Sequence, residues 1–181
     1  MSKLKGHVFL VGFMGVGKTT VSHELSRKFE ISEIDTDQAI AENEKMSIPD
    51  IFEKKGEDYF RKCETRLLFS IMQISPRVVS CGGGIVLNEM NVKAMREVGT
   101  IVLLTATPET IYERVKGNKD RPLLKGRLSV KGISKLMDER KEAYENAADV
   151  VIPTDGLSPN EIAQKIEDAI SPRADAVLPR L

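Results

Sequence analysis

Gly6-His7-Val8-Phe9-Leu10-Val11-Gly12-Phe13-Met14-Gly15-Val16-Gly17-Lys18-Thr19-Thr20 decides how the rest of the chain is read. An apolar β-type run over about 6–11 passes through a glycine-rich turn into an amphipathic helical pattern over about 17–29. Gly12 to Thr19 fits G-x-x-x-x-G-K-[ST], and it sits between strand and helix as that spacing requires. In such a loop the backbone N–H groups point at phosphate oxygens and the helix N-terminus adds partial positive charge. Lys18 then reaches the β- and γ-phosphates and Thr19 can ligate Mg²⁺, so the expected ligand is a nucleoside triphosphate. The glycine order is the reverse of the dinucleotide fingerprint, which excludes that reading. A guanine-specific switch is also disfavoured: Asn118-Lys119-Asp120 is one residue short of its motif, and Arg121 stands where the Asp belongs.

Outward from this loop, short β-type runs alternate with helical stretches, which is the rhythm of an α/β fold. Strands are expected at Ile31 to Asp35, Val78 to Ser80, Thr100 to Leu104 and Asp149 to Ile152. Helices are expected from about Asp37, after Ser47-Ile48-Pro49, over about 57–73, from Asn88 to before Gly99, after Thr107-Pro108-Glu109, and over about 133–147 and 159–170. Gly117 to Gly132 is a Gly/Lys/Arg-rich interlude without apolar period, read as a mobile segment, and 171–181 as a frayed tail. Five strands joined by helices imply a parallel sheet covered on both faces. Ligands in such sheets lie at the carboxyl ends of strands. Gly12 to Thr19, Asp35-Thr36-Asp37 and Gly82-Gly83-Gly84 all fall at such ends and should converge.

Composition narrows the partners. The 181 residues carry 27 basic and 27 acidic side chains, so the zero net charge lacks the footprint of a nucleic-acid binder. An apolar fraction of 41% supports one sizeable core. Uncharged stretches fall well short of the ~20 residues a membrane span needs. Lys3 and Lys5 before Val8–Val11 imitate a secretory signal, but no small-residue cleavage site follows. Cys63 and Cys81 form neither a disulfide framework nor a metal spacing, and a reduced cytoplasmic protein is expected.

Several further residues carry chemistry, each with a plain alternative. Asp35 and Asp37 stand two apart, so in an extended segment they point the same way; one could help hold Mg²⁺ while the other accepts from a hydroxyl, or one could simply cap a helix. Arg61 and Glu64 form an i,i+3 pair that either solvates a surface or aims a guanidinium at an anion. The three glycines at 82–84 favour close backbone approach to a ligand over a mere turn. Arg114, Arg121 and Arg140 flank or occupy the interlude and could close over phosphate, or be solvated charges. His7 and His23 have no recognisable partner and are left as structural or surface residues.

Taken together, Gly12–Thr19, Ile34-Asp35-Thr36-Asp37, Ile51-Phe52 with Gly56-Glu57, Phe60-Arg61-Lys62-Cys63-Glu64, Gly82-Gly83-Gly84, Arg121-Pro122-Leu123-Leu124, and Arg140 with Tyr144 resemble the shikimate kinase family over about residues 6–170. The resemblance implies one domain of the nucleoside-monophosphate-kinase type: a three-layer αβα sandwich on a five-stranded parallel sheet in order 2-3-1-4-5. It implies transfer of the ATP γ-phosphate to the 3-hydroxyl of shikimate by a cytoplasmic monomer. ATP would be held by Gly12, Gly15, Val16, Gly17, Lys18, Thr19 and Thr20, with Arg114 packing on adenine and Arg121 closing on phosphate. Shikimate would be held by Asp37, Arg61, Gly82, Gly83, Gly84 and Arg140, the two arginines pairing its carboxylate. Lys18, Asp37 and Arg121 would be catalytic, and Thr19 with Asp35 would serve Mg²⁺. Residues 37–65 would be the shikimate-binding segment and about 116–128 a lid. Thr154 to Pro159 lacks the arginine often found in the adenine loop, although Pro159 remains. A small-molecule kinase of another kind, such as a gluconate kinase, is distinguished by the acceptor-side set Asp37, Arg61 and Arg140, and a regulatory or binding module that had lost catalysis would keep Gly12–Thr19 but could discard Arg121 and Asp37.

Overall fold

The computed structural model of the chain describes residues 4–117 and 128–171. β1 (His7–Val11) is wholly buried and leads through the phosphate-type loop into α1 (Lys18–Phe29). β2 (Glu33–Asp35) is followed by three helices, α2 (Thr36–Glu44), α3 (Ile48–Lys55) and α4 (Glu57–Ile71). After β3 (Val78–Ser80) come a 3₁₀ turn at Ile85–Leu87, α5 (Glu89–Val98) and β4 (Gly99–Thr105). α6 (Pro108–Val115), α7 (Val130–Ala147), β5 (Val150–Pro153) and α8 (Pro159–Ile170) complete the order.

All strand pairings are parallel, and the sheet order is β2-β3-β1-β4-β5. The register sets Leu10 against Ser80 and Asp35 against Ser80, which aligns the carboxyl ends of β1, β2 and β3 on one edge. Phe9, Leu10, Leu25, Val78, Val79, Ile101 and Leu104 are completely buried between sheet and helices. A second, smaller core of Ile40, Ile51, Phe60 and Cys63 lies among α2, α3 and α4. Among the described residues no helix is long and apolar enough to cross a membrane.

Helix starts follow the sequence punctuation. Ser47, Thr107 and Ser158 each accept an N–H of the first turn, with Pro at the opening of the helix, and Ser158 with Glu161 completes a capping box. Several boundaries differ from the sequence reading: β4 extends one residue further at each end, to Gly99 and Thr105, and β5 runs Val150–Pro153 instead of Asp149–Ile152. Ile31 is not in β2, because Glu30 adopts a left-handed conformation (φ 54°) and the Ile31 N–H closes on the Ser26 carbonyl to end α1. α7 begins at Val130, since the Ser129 hydroxyl caps the Gly132 N–H; Gly132 belongs to the helix and not to the interlude. Asn88 is the cap of α5, not its first residue. The body of the expected lid, with Arg121, and the tail from residue 172 lie outside the described residues.

Candidate active site

The carboxyl edge of the sheet opens into a cavity of about 1080 Å³. Gly15 through Thr20 line it from the β1–α1 turn, Asp35 and Asp37 from the end of β2, Arg61 from α4, Gly82–Gly84 from the end of β3, Arg114 from α6 and Arg140 from α7. The three strand ends do converge. Gly12 lies beneath this lining: its φ of +140° suits glycine, and a Cβ there would run into the Leu104 carbonyl of β4. That contact seats the loop on the sheet.

On the phosphate side, Lys18 Nζ donates to the carbonyls of Gly12 (2.8 Å) and Phe13 (3.1 Å), which curls its side chain back over the loop. Thr19 Oγ1 donates to Asp35 Oδ2 at 3.0 Å and lies 3.4 Å from Ser80 Oγ. These are hard oxygen donors of the kind Mg²⁺ takes, one or two from protein and the rest from phosphate and water. No cluster of three or more His, Cys, Asp or Glu that could cage a metal occurs among the described residues. Thr19 and Asp35 fit a cation whose remaining ligands are phosphate oxygens and water. Arg114 Nη1 donates to the carbonyls of Gly15 (3.2 Å) and Val16 (3.1 Å) and to Thr154 Oγ1 (3.3 Å), tying the loop to the turn after β5. Asp155 in that turn accepts from the Thr107 N–H and hydroxyl and from Thr110 Oγ1, and these bonds hold its carboxyl below the usual range.

The two aspartates do not share an extended segment. Asp35 is the N-cap of α2, accepting from the N–H groups of Asp37 (3.1 Å) and Gln38 (3.2 Å), while Asp37 already lies in the first helical turn. The alternating geometry expected from their spacing is thus replaced by a cap and a capped residue, which present their carboxylates differently. Thr36 between them is buried and accepts the Gly82 N–H at 2.8 Å, fastening the glycine turn to α2.

Arg61 is anchored on two sides: Nη1 to Glu64 Oε2 at 2.7 Å, Nη2 to Glu57 Oε1 at 2.7 Å and Nε to the same Glu57 oxygen at 3.2 Å. Glu64 is only 1% exposed, so this pair is no surface decoration. Burial pushes the Glu64 carboxyl above its ordinary range, Arg61 pulls it back, and the charge of Asp37 adds to the upward push. Burial works against the Arg61 charge too, but Glu64 and Glu57 outweigh it and the guanidinium is held firmly ionised. A Cβ on Gly82 would lie 2.5 Å from Asp37 Oδ1 and 2.9 Å from Glu64 Oε1, and one on Gly84 would collide with the Arg61 guanidinium. The absence of side chains in the turn lets an acid and a guanidinium crowd the same small space. Arg140 Nη1 donates to the Gly83 carbonyl at 3.3 Å.

The cavity also has an apolar wall of Ile48, Pro49, Phe52 and Phe60; these fall in the expected 37–65 segment but are not among the individually named site residues, and Ile48, Phe52 and Phe60 double as part of the small core of α2–α4. Ser80 and Thr36 were likewise missed; their only signal was a polar residue at the last position of a buried strand or between two acids.

Residues 14–171 match the family model described as shikimate kinase. The chain is 42% identical over 160 residues to the shikimate kinase of Persephonella marina, covering 88% of this chain and 96% of the relative. It is 38% identical over 168 residues to that of Dehalococcoides mccartyi, covering 93% and 95%. Among solved structures, shikimate kinase from Acinetobacter baumannii in complex with shikimate superposes with a TM-score of 0.86 at 32% identity, covering 91% of this chain and 92% of that one. The Aquifex aeolicus shikimate kinase gives 0.78 at 38% identity, covering 91% and 95%. A gluconokinase from Sinorhizobium meliloti, at 12% identity and a TM-score of 0.56, shares the fold alone.

Proposed function

The chain belongs to the shikimate kinase family, and from that premise we propose how its residues divide the work of moving the ATP γ-phosphate onto the 3-hydroxyl of shikimate. The observation that carries the reading is that one cavity is lined together by the phosphate loop, Asp37, Arg61 and Arg140, with Arg61 held by the buried Glu64. A small polyhydroxylated acid needs a planar two-donor grip on its carboxylate, which guanidinium supplies and ammonium does not. Arg61 and Arg140 are the grip, the turn at 82–84 is the floor, and Asp37 accepts from the ring hydroxyl that attacks.

At the other end Gly12, Gly15, Val16 and Gly17 shape the loop whose amides receive phosphate oxygens, with Thr20 beside them on α1. Lys18 leaves its loop carbonyls for the transferring group, and Arg114 borders the adenine. Arg121, outside the described residues, is assigned to the phosphoryl group on its Arg-Pro-Leu-Leu motif alone. Thr19, with Asp35 through water, would hold Mg²⁺, which neutralises phosphate charge when bound. Phosphoryl transfer proceeds through a loose transition state, so alignment and charge neutralisation matter more than an early strong base. Asp37 accordingly positions and polarises the acceptor hydroxyl. Residues 1–170 act as a single domain, with 37–65 as the acceptor-binding segment; the protein works as a cytoplasmic monomer on two small molecules, without nucleic acid or membrane.

The test is coupled ADP release with ATP, Mg²⁺ and each of shikimate, quinate, gluconate or no acceptor. Stimulation by shikimate alone is expected. Stimulation by gluconate, or equal rates with and without shikimate, would refute the assignment.

A further inference from the structure

α7 sends a second side chain into the glycine turn. Tyr144 follows Arg140 by one helical turn, so both leave the same face of α7. Tyr144 is 6% exposed and packs into the main core, and its Oη donates to the Gly83 carbonyl at 2.5 Å. Arg140 Nη1 donates to that same oxygen at the longer distance of 3.3 Å. A Cβ on Gly83 would sit 3.5 Å from Tyr144 Oη, 3.7 Å from the Gly12 carbonyl and 3.8 Å from Arg140 Nη1. One peptide therefore stands where α7, the phosphate loop and the glycine turn meet.

We propose that Tyr144 is a positioning residue for the acceptor substrate: by satisfying the Gly83 carbonyl, its hydroxyl frees the Arg140 guanidinium to grip the substrate carboxylate. A carbonyl oxygen has two lone pairs, and leaving one without any donor in a buried site is costly. With Tyr144 present the oxygen keeps a short bond when Arg140 swings to a carboxylate. Without the phenol, Arg140 becomes the carbonyl's sole donor among the described residues, and every substrate carboxylate must compete with the backbone for it. Burial supports the role, since it pushes the phenol's pKa up and keeps Oη a protonated donor through the neutral range. The inference rests on Arg140 binding the substrate carboxylate.

The experiment is a steady-state comparison of wild type, Tyr144→Phe, Arg140→Lys and the double variant, varying shikimate and ATP separately. Phe keeps the ring packing, and near-ultraviolet circular dichroism reports whether the core survives. Expected for Tyr144→Phe is a rise in KM for shikimate of roughly 3- to 12-fold, the range of one net hydrogen bond, with KM for ATP and kcat within about twofold to threefold. In the Arg140→Lys background the same change should add less than about twofold, because the guanidinium for which carbonyl and carboxylate would compete is gone. An unchanged shikimate KM in Tyr144→Phe beside a raised one in Arg140→Lys overturns the inference and leaves the carboxylate reading standing. An unchanged KM in Arg140→Lys overturns both. Equal rises in the shikimate and ATP KM values, or full additivity in the double variant, mark a general packing role and also overturn it.

Discussion

Adding one methyl group at Gly84 should disable the acceptor side of this site while leaving the backbone at ease. Gly84 has φ −109° and ψ −1°, which alanine adopts without strain, so Gly84→Ala carries no backbone penalty. Its Cβ would instead land on Nη1, Cζ and Nη2 of Arg61. The guanidinium is the end of a flexible chain and can swing away, but doing so breaks its bonds to Glu64 and Glu57. The Glu57 contacts are largely exposed and worth little. The geometry lost is that of a guanidinium fixed by a buried carboxylate, which on the proposed reading grips the substrate, a charged hydrogen-bond set of about 2–3 kcal/mol. In kcat/KM for shikimate this is a fall of roughly 30- to 150-fold, with ATP parameters within about threefold. Coupled ADP release at saturating ATP measures it, and circular dichroism checks the fold. In an Arg61→Ala background the added methyl has nothing left to displace and should cost less than about threefold. The reasoning fails if Gly84→Ala alone stays within threefold of wild type, or if its effect is undiminished without Arg61.

Other perturbations test the remaining parts of the site. Arg61→Lys and Arg140→Lys should each lower kcat/KM for shikimate by roughly 2–4 kcal/mol with little effect on ATP binding, since an ammonium cannot reproduce the two-donor grip; titrations of each substrate separate the two. Asp37→Asn should retain clearly more single-turnover phosphoryl transfer than Asp37→Ala at saturating substrates, and equal inactivity with normal shikimate binding would make Asp37 an obligatory base. Asp35→Asn keeps an N-cap oxygen for α2 but loses the charge facing Thr19, so activity should demand roughly tenfold more Mg²⁺ with an unchanged melting temperature. Glu44, bonded to Lys55 and Tyr59, has its carboxyl depressed to about 2. That stabilisation is complete above the ordinary glutamate range and is lost as pH falls toward about 2, so acid melting curves of wild type and Glu44→Gln should converge there and separate at higher pH.

The fold could be read from the sequence because each strand and helix carried its own punctuation, and the phosphate loop fixed which strand came first. Local sequence determined geometry at the loop after β1, the glycine turn after β3 and the helix caps at Ser47 and Thr107. The site was not legible where tertiary packing overrules local pattern. Arg61 and Glu64 are spaced like any exposed helical ion pair, and only the packing of α4 against the glycine turn reveals that Glu64 is buried. Asp35 and Asp37 suggest an alternating strand, but the first of them ends the strand and caps a helix, which turns the second out of register. The Tyr144 hydroxyl finds its acceptor 61 positions away in sequence, a pairing that no local spacing encodes.

Each glycine of the turn after β3 faces a different part of the molecule, and at Gly82 and Gly84 an added side chain would meet its neighbours head on. The Gly82 N–H is fastened to Thr36 at the start of α2, with Asp37 and Glu64 crowding its Cα. The Gly83 carbonyl is shared by Tyr144 and Arg140 of α7. Gly84 gives its space to Arg61 of α4. α2, α3 and α4 share a small core of Ile40, Ile51, Phe60 and Cys63, and α4 also reaches the main core through Leu68 and Ile71, whereas the phosphate loop rises directly from β1. Residues 82–84 are thus touched by α2, α4 and α7 at once, and through Gly83 they come near the Gly12 carbonyl of the phosphate loop. In a reaction governed by alignment, errors at such a junction translate directly into misplacement of the attacking hydroxyl. Side chains in the turn would set that alignment by their own packing; glycine leaves it to Thr36, Tyr144 and the guanidinium of Arg61.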